Sequence, residues 1–184
     1  MKKIGMLIIF CLGFVQINYS QQKIFEKVKS KHFKNMYKIN NVLYRAEQPS
    51  KKGFLELEAN GFKTILNLRR LKNNTKKAKR THLKLEHIPI KTKGLNEEEI
   101  VQVLKIINKA EQPILVHCWY GSDRTGTIIA AYRIIVENWS KKDAIAEFTN
   151  EVFGYHKKRY PNLLKLLKNL DVDAIKKQLN LKQE

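Results

Sequence analysis

Two side chains able to carry out phosphoryl transfer lie close together in the sequence, Cys118 and, six residues later, Arg124. A cysteine thiolate is a strong nucleophile. A guanidinium at that spacing can fold back and donate two parallel hydrogen bonds to phosphoryl oxygens, a fork that lysine does not offer. The pair therefore predicts nucleophilic attack on a phosphate ester by Cys118, with Arg124 stabilising the oxygens of the transferring group.

The surrounding segment, ILVHCWYGSDRTG at residues 114–126, predicts a strand, a loop and a helix that starts near Arg124. A loop in this position can point backbone N–H groups inward, and the helix dipole adds positive potential that favours a thiolate. Gly121 permits backbone angles that a side chain would resist, and Gly126 allows close helix packing. We expect phosphate to be bound by Trp119, Tyr120, Gly121, Ser122, Asp123, Arg124 and Thr125.

Two neighbours of the pair are expected to support the chemistry. Thr125 can hydrogen-bond the sulfur and steady it as a leaving group when water hydrolyses a phosphocysteine. His117 is expected to orient the loop from behind. The remaining histidines lack metal-ligand spacing, so no metal site and no cofactor is expected.

Strand-like and helix-like patterns alternate before this loop, and helical patterns follow it. We predict strands at 42–45, 64–68, 85–90 and 114–117, and helices at 51–60, 96–110, 125–137, 140–151, 161–170 and 172–181. Asn96 and Ser140 are plausible N-caps. Such alternation predicts an α/β fold with a mainly parallel central sheet flanked by helices and with a helical C-terminal part.

Parallel sheets bind ligands beyond the carboxyl ends of their strands. Three predicted strands end in Arg69, in Lys91 with Lys93, and in Cys118. If these strands are parallel neighbours, the basic groups converge on the cysteine. We therefore expect Arg69, Lys91 and Lys93 at the rim of the pocket.

The segment HCWYGSDRTG, residues 117–126, resembles the signature of the cysteine-dependent protein-tyrosine and dual-specificity phosphatases. LYRAEQPS at 43–50 is similar to the opening motif of the small atypical dual-specificity type, and TILNLR at 64–69 to its central strand. The resemblance covers roughly residues 41–170. It implies a protein-tyrosine-phosphatase-like fold, a phosphocysteine intermediate on Cys118, no metal, and Arg45 and Gln48 at the pocket rim.

The general acid that the resemblance implies, an aspartate on a separate loop before the cysteine, is missing. The chain has no aspartate before Asp123, and the corresponding segment, IPIKTKGL at 88–95, has no acid. Three alternatives remain. Asp123 can serve, an arrangement similar to that of myotubularin-type lipid phosphatases; Glu97 can reach in from a helix start; or no side chain acts, and phosphates with good leaving groups, such as phosphotyrosine, are favoured.

The first twenty residues have the features of a signal peptide: Lys2 and Lys3, an apolar run at 4–15, and a small residue, Ser20, at the expected cleavage point. The rival interpretation is a membrane anchor, but a spanning helix needs about 20 apolar residues. We expect an exported protein, periplasmic or secreted, without a stable membrane span after cleavage. The predicted organisation is residues 1–20 signal peptide, 21–40 N-terminal helical extension and 41–184 phosphatase domain.

The chain is strongly basic, with 36 Lys and Arg against 17 Asp and Glu and a net charge of +19. Such a field favours anionic partners, which are phosphorylated proteins or other phosphoester substrates, nucleic acid, or anionic lipids and cell-surface polymers, although lysines also serve simply to solvate a surface. The basic runs at 76–80 and 156–160 lack the interleaved aromatic residues of a nucleic-acid surface. Of the two cysteines, only Cys118 would remain after signal cleavage.

The chemistry of the loop is compatible with several functions. The first is hydrolysis of phosphotyrosine or of both phosphotyrosine and phosphoserine. The alternatives are a phosphoinositide or inositol phosphate phosphatase, and a phosphate-binding module with little turnover because the usual acid is missing. A rhodanese-type sulfurtransferase also uses a loop cysteine, but Arg124 followed by Thr and Gly favours phosphate.

Overall fold

The computed structural model describes residues 25–181. The predicted signal peptide at 1–20, with its cleavage point, lies outside the described residues. Within residues 25–181, none of the helices is both long enough and apolar enough to cross a membrane.

Six strands form one mixed sheet in the spatial order β1-β2-β3-β6-β4-β5. Their bounds are β1 Glu26–Lys27, β2 Tyr37–Lys38, β3 Leu43–Ala46, β4 Thr64–Arg69, β5 Lys84–Ile90 and β6 Ile114–His117. The pairs β3/β6, β6/β4 and β4/β5 are parallel, whereas β1/β2 and β2/β3 are antiparallel. The four longer strands therefore form the predicted parallel sheet, and a short antiparallel ribbon extends its β3 edge.

In the described part of the chain, seven α-helices connect and cover these strands. Their bounds are α1 Lys51–Ala59, α2 Thr75–Ala78, α3 Glu97–Lys109, α4 Asp123–Ile135, α5 Lys141–Phe148, α6 Pro161–Asn169 and α7 Val172–Gln178. Asn96 caps α3 in a capping box with Glu99, and Ser140 caps α5 by accepting from the Asp143 N–H, as predicted. The C-terminal part is helical, also as predicted.

Alternating side chains of the central strands divide the interior into two apolar layers. In β6, Leu115 packs into one cluster and Ile114 and Val116 into the other. The first cluster contains α1 and α2 residues, and the second contains residues of α3 to α7. Helices therefore cover both faces of the sheet, because successive side chains of a strand point to opposite faces.

The helical extension predicted for residues 21–40 is wrong for its described part. Residues 25–40 contain β1, β2 and turns instead, and β2 pairs with β3, so this segment belongs to the sheet. Strands of two residues are too short to give a hydrophobic period, and pairing with β3 outweighs local preference. The four-residue helix α2 was also missed, and α4 begins at Asp123, slightly before its predicted start.

Candidate active site

Cys118 lies where the carboxyl ends of three parallel strands meet. In the sheet register, His117 at the end of β6 pairs with Ala46 of β3 and with Asn67 of β4. Cys118 follows directly, is 2% exposed and is a free thiol. The predicted convergence of strand ends on the cysteine is therefore confirmed.

The loop after Cys118 has amide groups without intramolecular partners. Within residues 25–181, the backbone N–H groups of residues 119–122 donate no hydrogen bond. The loop leads directly into α4, whose first N–H groups also have no partner in the preceding turn. A row of free amides at a helix N-terminus is suited to binding an anion.

The carbonyl groups of the same loop are all bonded. The Trp119 carbonyl oxygen accepts from the Gln48 N–H at 3.2 Å, and that of Gly121 accepts from Nη2 of Arg45 at 2.7 Å. The Tyr120 carbonyl accepts from Nδ2 of Asn35 at 2.8 Å. Because each peptide unit carries its C=O and N–H on opposite sides, these bonds fix the direction of the free amides.

Gly121 allows the chain to make this turn. Its φ is +74°, in the left-handed region, and a Cβ atom there would lie 2.5 Å from the carbonyl carbon of Ala46. Both the backbone angle and the close approach exclude a side chain. The expectation for Gly126 agrees with the structure, since a Cβ there would lie 2.8 Å from the Phe148 ring.

Behind the loop, His117 is held in one tautomer. Burial lowers the pKa of His117 to about 3, so the ring is neutral. Nε2 accepts from Nδ2 of Asn74 at 2.8 Å, and the Asn74 Oδ1 accepts from Nη2 of Arg69. Nδ1 therefore carries the proton and donates to the Cys118 carbonyl at 3.0 Å. This contact agrees with the predicted orienting role.

Arg124 presents one free edge of its guanidinium. Its Nη1 donates to the Leu68 carbonyl at 3.1 Å and to the Ile90 carbonyl at 3.3 Å. Nε is buried without a partner, and Nη2 makes no hydrogen bond within the described chain. The Nε and Nη2 donors are therefore held in place by two strand ends and are available for a bidentate contact with a phosphoryl group.

Asp123 makes contacts that the sequence did not suggest. Its Oδ1 accepts from the backbone N–H of His156 at 3.0 Å, and its Oδ2 lies 3.0 Å from Nδ1 of the same residue. The carboxylate thus ties the start of α4 to the segment that follows Gly154. This contact leaves its predicted role as general acid untested, and that role stays a prediction.

The second acid candidate, Glu97, also makes a structural contact. Its Oε1 accepts from the Asp171 N–H at 3.0 Å, so the side chain joins the start of α3 to the start of α7. The 91–95 segment, which follows β5 next to the carbonyl that Arg124 binds, contains no acid. Glu97 is therefore held at the α3/α7 contact through one carboxylate oxygen, and its role as general acid stays a prediction.

Two predicted rim arginines lie inside the protein. Arg45 is 1% exposed, and its guanidinium lies beneath the loop, 4.0 Å from the centroid of the Phe153 ring. Arg69 is 4% exposed and donates to Oδ1 of Asn67 and to Oε1 of Gln48. The rim prediction is wrong for both arginines, because both side chains point into the interior, where the Gly121 carbonyl accepts from Arg45. Gln48 borders the loop, but with its side chain bound to Arg69.

Of the remaining predictions, Lys91 and Lys93 are exposed and make no hydrogen bond with the loop. Thr125 is buried, but Oγ1 has no hydrogen-bond partner, so the expected bond to sulfur is not formed. Its β-branched side chain lies in the first turn of α4, where few rotamers are allowed. Trp119 and Tyr120 have exposed side chains and take part through their backbone.

Three residues that position the loop were missed from the sequence: Asn35, Asn74 and His156. Asn35 is fixed by its own N–H, which donates to Oε2 of Glu47. All three lie far from Cys118 in sequence, and isolated asparagines and histidines carry no pattern that reveals such contacts. Among residues 25–181, no cluster of His, Cys, Asp and Glu is suited to hold a metal ion.

Comparison with known proteins places this geometry among phosphatases. The family model described as "DSP-PTPase phosphatase fused to NAD+ Kinase" matches residues 18–161. The dual specificity protein phosphatase TpbA of Pseudomonas aeruginosa is 28% identical over 123 residues, 65% of this chain and 56% of that protein. Inositol diphosphatase DSP5 of Arabidopsis thaliana is 27% identical over 129 residues, 62% of this chain and 60% of that protein. The chain thus spans less than two thirds of the length of either relative.

Two solved structures are similar in fold. TpbA of P. aeruginosa, as a variant in complex with phosphotyrosine, superposes with a TM-score of 0.77 at 22% identity, covering 88% of this chain and 99% of that one. The core catalytic domain of the PP-IP phosphatase SIW14 of S. cerevisiae gives a TM-score of 0.66 at 25% identity, covering 81% and 94%. The protein-tyrosine-phosphatase-like architecture is therefore confirmed.

Proposed function

The chain belongs to the family of DSP-PTPase phosphatases whose model matches residues 18–161, and we propose on this basis that it hydrolyses phosphate monoesters through a phosphocysteine on Cys118. The observation that carries the proposal is the set of free donors beside a buried thiol. The amides of residues 119–122 and the Nε/Nη2 edge of Arg124 have no intramolecular partner. A phosphoryl group, with three anionic oxygens, matches this set.

The proposed reaction has two displacements at phosphorus. In the first, the Cys118 thiolate forms the P–S bond while the P–O ester bond breaks and the leaving oxygen takes a proton. In the second, water attacks phosphorus, the P–S bond breaks and the thiolate is regenerated with inorganic phosphate. The loop amides and Arg124 bind the non-bridging oxygens in both steps, where preorganised donors lower the barrier without rearranging.

The proton for the leaving oxygen is assigned to Asp123. It lies in the loop next to Arg124, and the described residues 91–95 offer no other acid. Its bond with His156 fixes the carboxylate, and a proton held there can pass to an ester oxygen above the loop. Aryl phosphates need this help least, because a phenolate is a better leaving group than an alkoxide.

Phosphotyrosine in proteins is the proposed substrate. TpbA, which resembles this chain in fold, has been solved in complex with phosphotyrosine. Inositol phosphates are the second candidate, because DSP5 is an inositol diphosphatase and SIW14 a PP-IP phosphatase. The net charge of +19 suits a substrate with several phosphates.

The decisive experiment compares wild type, Cys118→Ser and Arg124→Lys on phosphotyrosine peptide, phosphoserine peptide, phosphoinositides and inositol polyphosphates. We expect phosphotyrosine hydrolysis by wild type, none by Cys118→Ser, and a loss of at least about 100-fold for Arg124→Lys, which loses the fork. Phosphate binding by Cys118→Ser with no hydrolysis by wild type on any substrate would make the protein a binding module and refute the proposal.

Export remains part of the proposal. It rests on the lysines, apolar run and small residue at positions 1–20. Fractionation of the native organism with N-terminal sequencing of the mature protein tests it. A mature chain that starts near Gln21 in an exported fraction is expected, whereas an intact Met1 in the cytoplasm would contradict export.

A further inference from the structure

A groove lined by basic side chains lies between α1 and α2. It lies outside the loop of residues 118–124, which we call the phosphate loop. Its volume is about 510 Å³. Six of its lining residues are cations: Lys51, Lys52, Lys76, Lys77, Lys79 and Arg80. The other two are Leu55 and Thr81, so no acidic side chain lines the groove.

These six cations are not neutralised by the protein. Within residues 25–181, none of them forms an ion pair. The only side-chain hydrogen bond that they make with described residues runs from Nζ of Lys77 to the Pro49 carbonyl at 3.4 Å. Burial lowers the pKa of Lys77, and the positive charges of Arg69 and Lys72 lower it further. An anion bound in the groove would raise the pKa of Lys77 again, because an opposite charge favours the protonated ammonium group.

The groove adjoins the candidate active site. Lys77 binds the carbonyl of Pro49, and the preceding residue, Gln48, donates its N–H to the Trp119 carbonyl of the phosphate loop. On the α2 side, Asn74 precedes the helix and holds His117 behind Cys118. A large molecule bound at the loop can therefore extend into the groove.

A second groove adjoins the first and extends the basic surface. It shares Lys52 and Leu55 with the first, has a volume of about 760 Å³ and adds Lys29, Lys31 and His32. Glu56 is its only acidic lining residue. Because they share two lining residues, the two grooves together form one continuous basic channel on the surface, larger than a site for a single small anion.

The composition of the channel distinguishes among anionic partners. Five of the six cations in the first groove are lysines, mobile point charges that can pair with acidic groups at variable positions, whereas an arginine fork fixes one carboxylate or phosphate in a set geometry. No Phe, Tyr or Trp lines either groove, so the main stacking platforms for nucleic-acid bases are missing. Leu55, 40% exposed, supplies an apolar contact within the channel. These features fit an acidic peptide with occasional apolar side chains.

We propose that the α1/α2 groove binds an acidic segment flanking the phosphorylated residue of a protein substrate. This inference rests on the proposed phosphatase function and deepens it, because it selects substrate proteins by the acidity of the neighbouring sequence.

The test uses the full chain, two matched phosphotyrosine peptides and p-nitrophenyl phosphate. One peptide has four glutamates on either side of the phosphotyrosine, and the other has glutamines instead. The groove variant combines Lys76→Ser, Lys79→Ser and Arg80→Ser. The matched control combines Lys105→Ser, Lys109→Ser and Lys165→Ser, which removes the same charge from α3 and α6, helices that do not line the groove.

We expect wild type and the control to prefer the glutamate peptide in kcat/KM, and the groove variant to lose about tenfold of that preference. Activity on p-nitrophenyl phosphate should stay unchanged, and added salt should weaken the preference. The proposal is overturned if the groove variant keeps the preference of wild type, or if the control loses as much.

A binding measurement separates this inference from the proposed function. If wild type hydrolyses none of the three substrates, the proposed function fails. The groove proposal is then tested by fluorescence anisotropy, which measures the affinity of each variant for an unphosphorylated glutamate peptide. About tenfold weaker binding by the groove variant than by the control supports the groove proposal. Equal binding overturns it, as does single-stranded DNA that binds the groove more tightly than the peptide.

Discussion

Replacing Arg45 with methionine should disable the phosphate loop while the protein remains folded. The guanidinium is 1% exposed and bonds the Gly121 carbonyl at 2.7 Å, while Nε and Nη1 are buried without a partner. Methionine fills similar space against the Phe153 ring but cannot donate. The Gly121 carbonyl then has no interior donor, and the peptide units that present the loop amides lose a restraint.

The magnitudes for stability and for activity differ. Burial lowers the pKa of Arg45 to about 10, which corresponds to a cost of about 3 kcal/mol for keeping it charged. Losing a charge-assisted hydrogen bond costs about 2 kcal/mol. These effects oppose each other, so the free energy of unfolding should change by less than about 2 kcal/mol. If the loop bond contributes its roughly 1.5–3 kcal/mol in the transition state, kcat/KM should fall about 10- to 150-fold.

Urea unfolding and kcat/KM on p-nitrophenyl phosphate measure the two quantities separately. Arg80→Met, a change at an exposed arginine whose side chain makes no hydrogen bond to residues 25–181, is the matched control and should change neither. Arg45→Lys keeps the charge without the fork and should lie between wild type and Arg45→Met. If Arg45→Met keeps kcat/KM within threefold of wild type, the interior bond to Gly121 does not shape the loop, and the reasoning is refuted.

Three further changes test other contacts of the site. Asp123→Asn should lower kcat/KM on an alkyl phosphate by about 10²–10⁴-fold and on p-nitrophenyl phosphate far less. If Asp123→Asn and His156→Gln each lower kcat/KM equally on the two substrates, Asp123 has only a structural role. Because burial lowers the pKa of His117 to about 3 from 6.5, the unfolded chain binds an extra proton between these values, and stability falls as the pH drops below about 6.5. Between pH 7 and pH 5, urea unfolding should show that wild type loses about 2 kcal/mol more than His117→Asn, and equal losses would contradict a buried neutral ring. Gly121→Ala should abolish turnover and cost more than about 2 kcal/mol in the same assay, because φ is +74° and Cβ would meet Ala46; a stable, active variant would show that the loop has another conformation.

The parts of the site that the sequence revealed are those fixed by neighbouring residues. Cys118, Gly121 and Arg124 lie in one continuous segment, so a strand pattern, a glycine and a helix start were enough to place them. The parallel sheet followed from alternation of strands and helices, and β3, β4, β5 and β6 lie within one or two residues of their predicted bounds.

The parts that the sequence did not reveal depend on contacts between distant segments. Arg45 was expected at the rim because the strand that carries it ends near the loop. Its direction depends on the alternation of side chains across β3 and on the space under Gly126, where Nη2 of Arg45 lies 3.3 Å from a hypothetical Cβ. Asn35 reaches the loop from a segment expected to be helical, so an error in local structure concealed a positioning residue.

The structure also divides the basic residues into two groups with different physical roles. Arg45, Arg69 and Arg124 are enclosed by the fold and donate to carbonyl or side-chain oxygens, as the planar guanidinium is suited to do. The lysines of the α1/α2 groove have exposed or half-buried ammonium groups without acidic partners. A net charge of +19 therefore does not measure the field at the reacting phosphate, since part of it is used to build the loop. Removing the groove lysines should change the preference among peptide substrates, whereas removing a buried arginine should lower the rate of reaction of any bound phosphate ester.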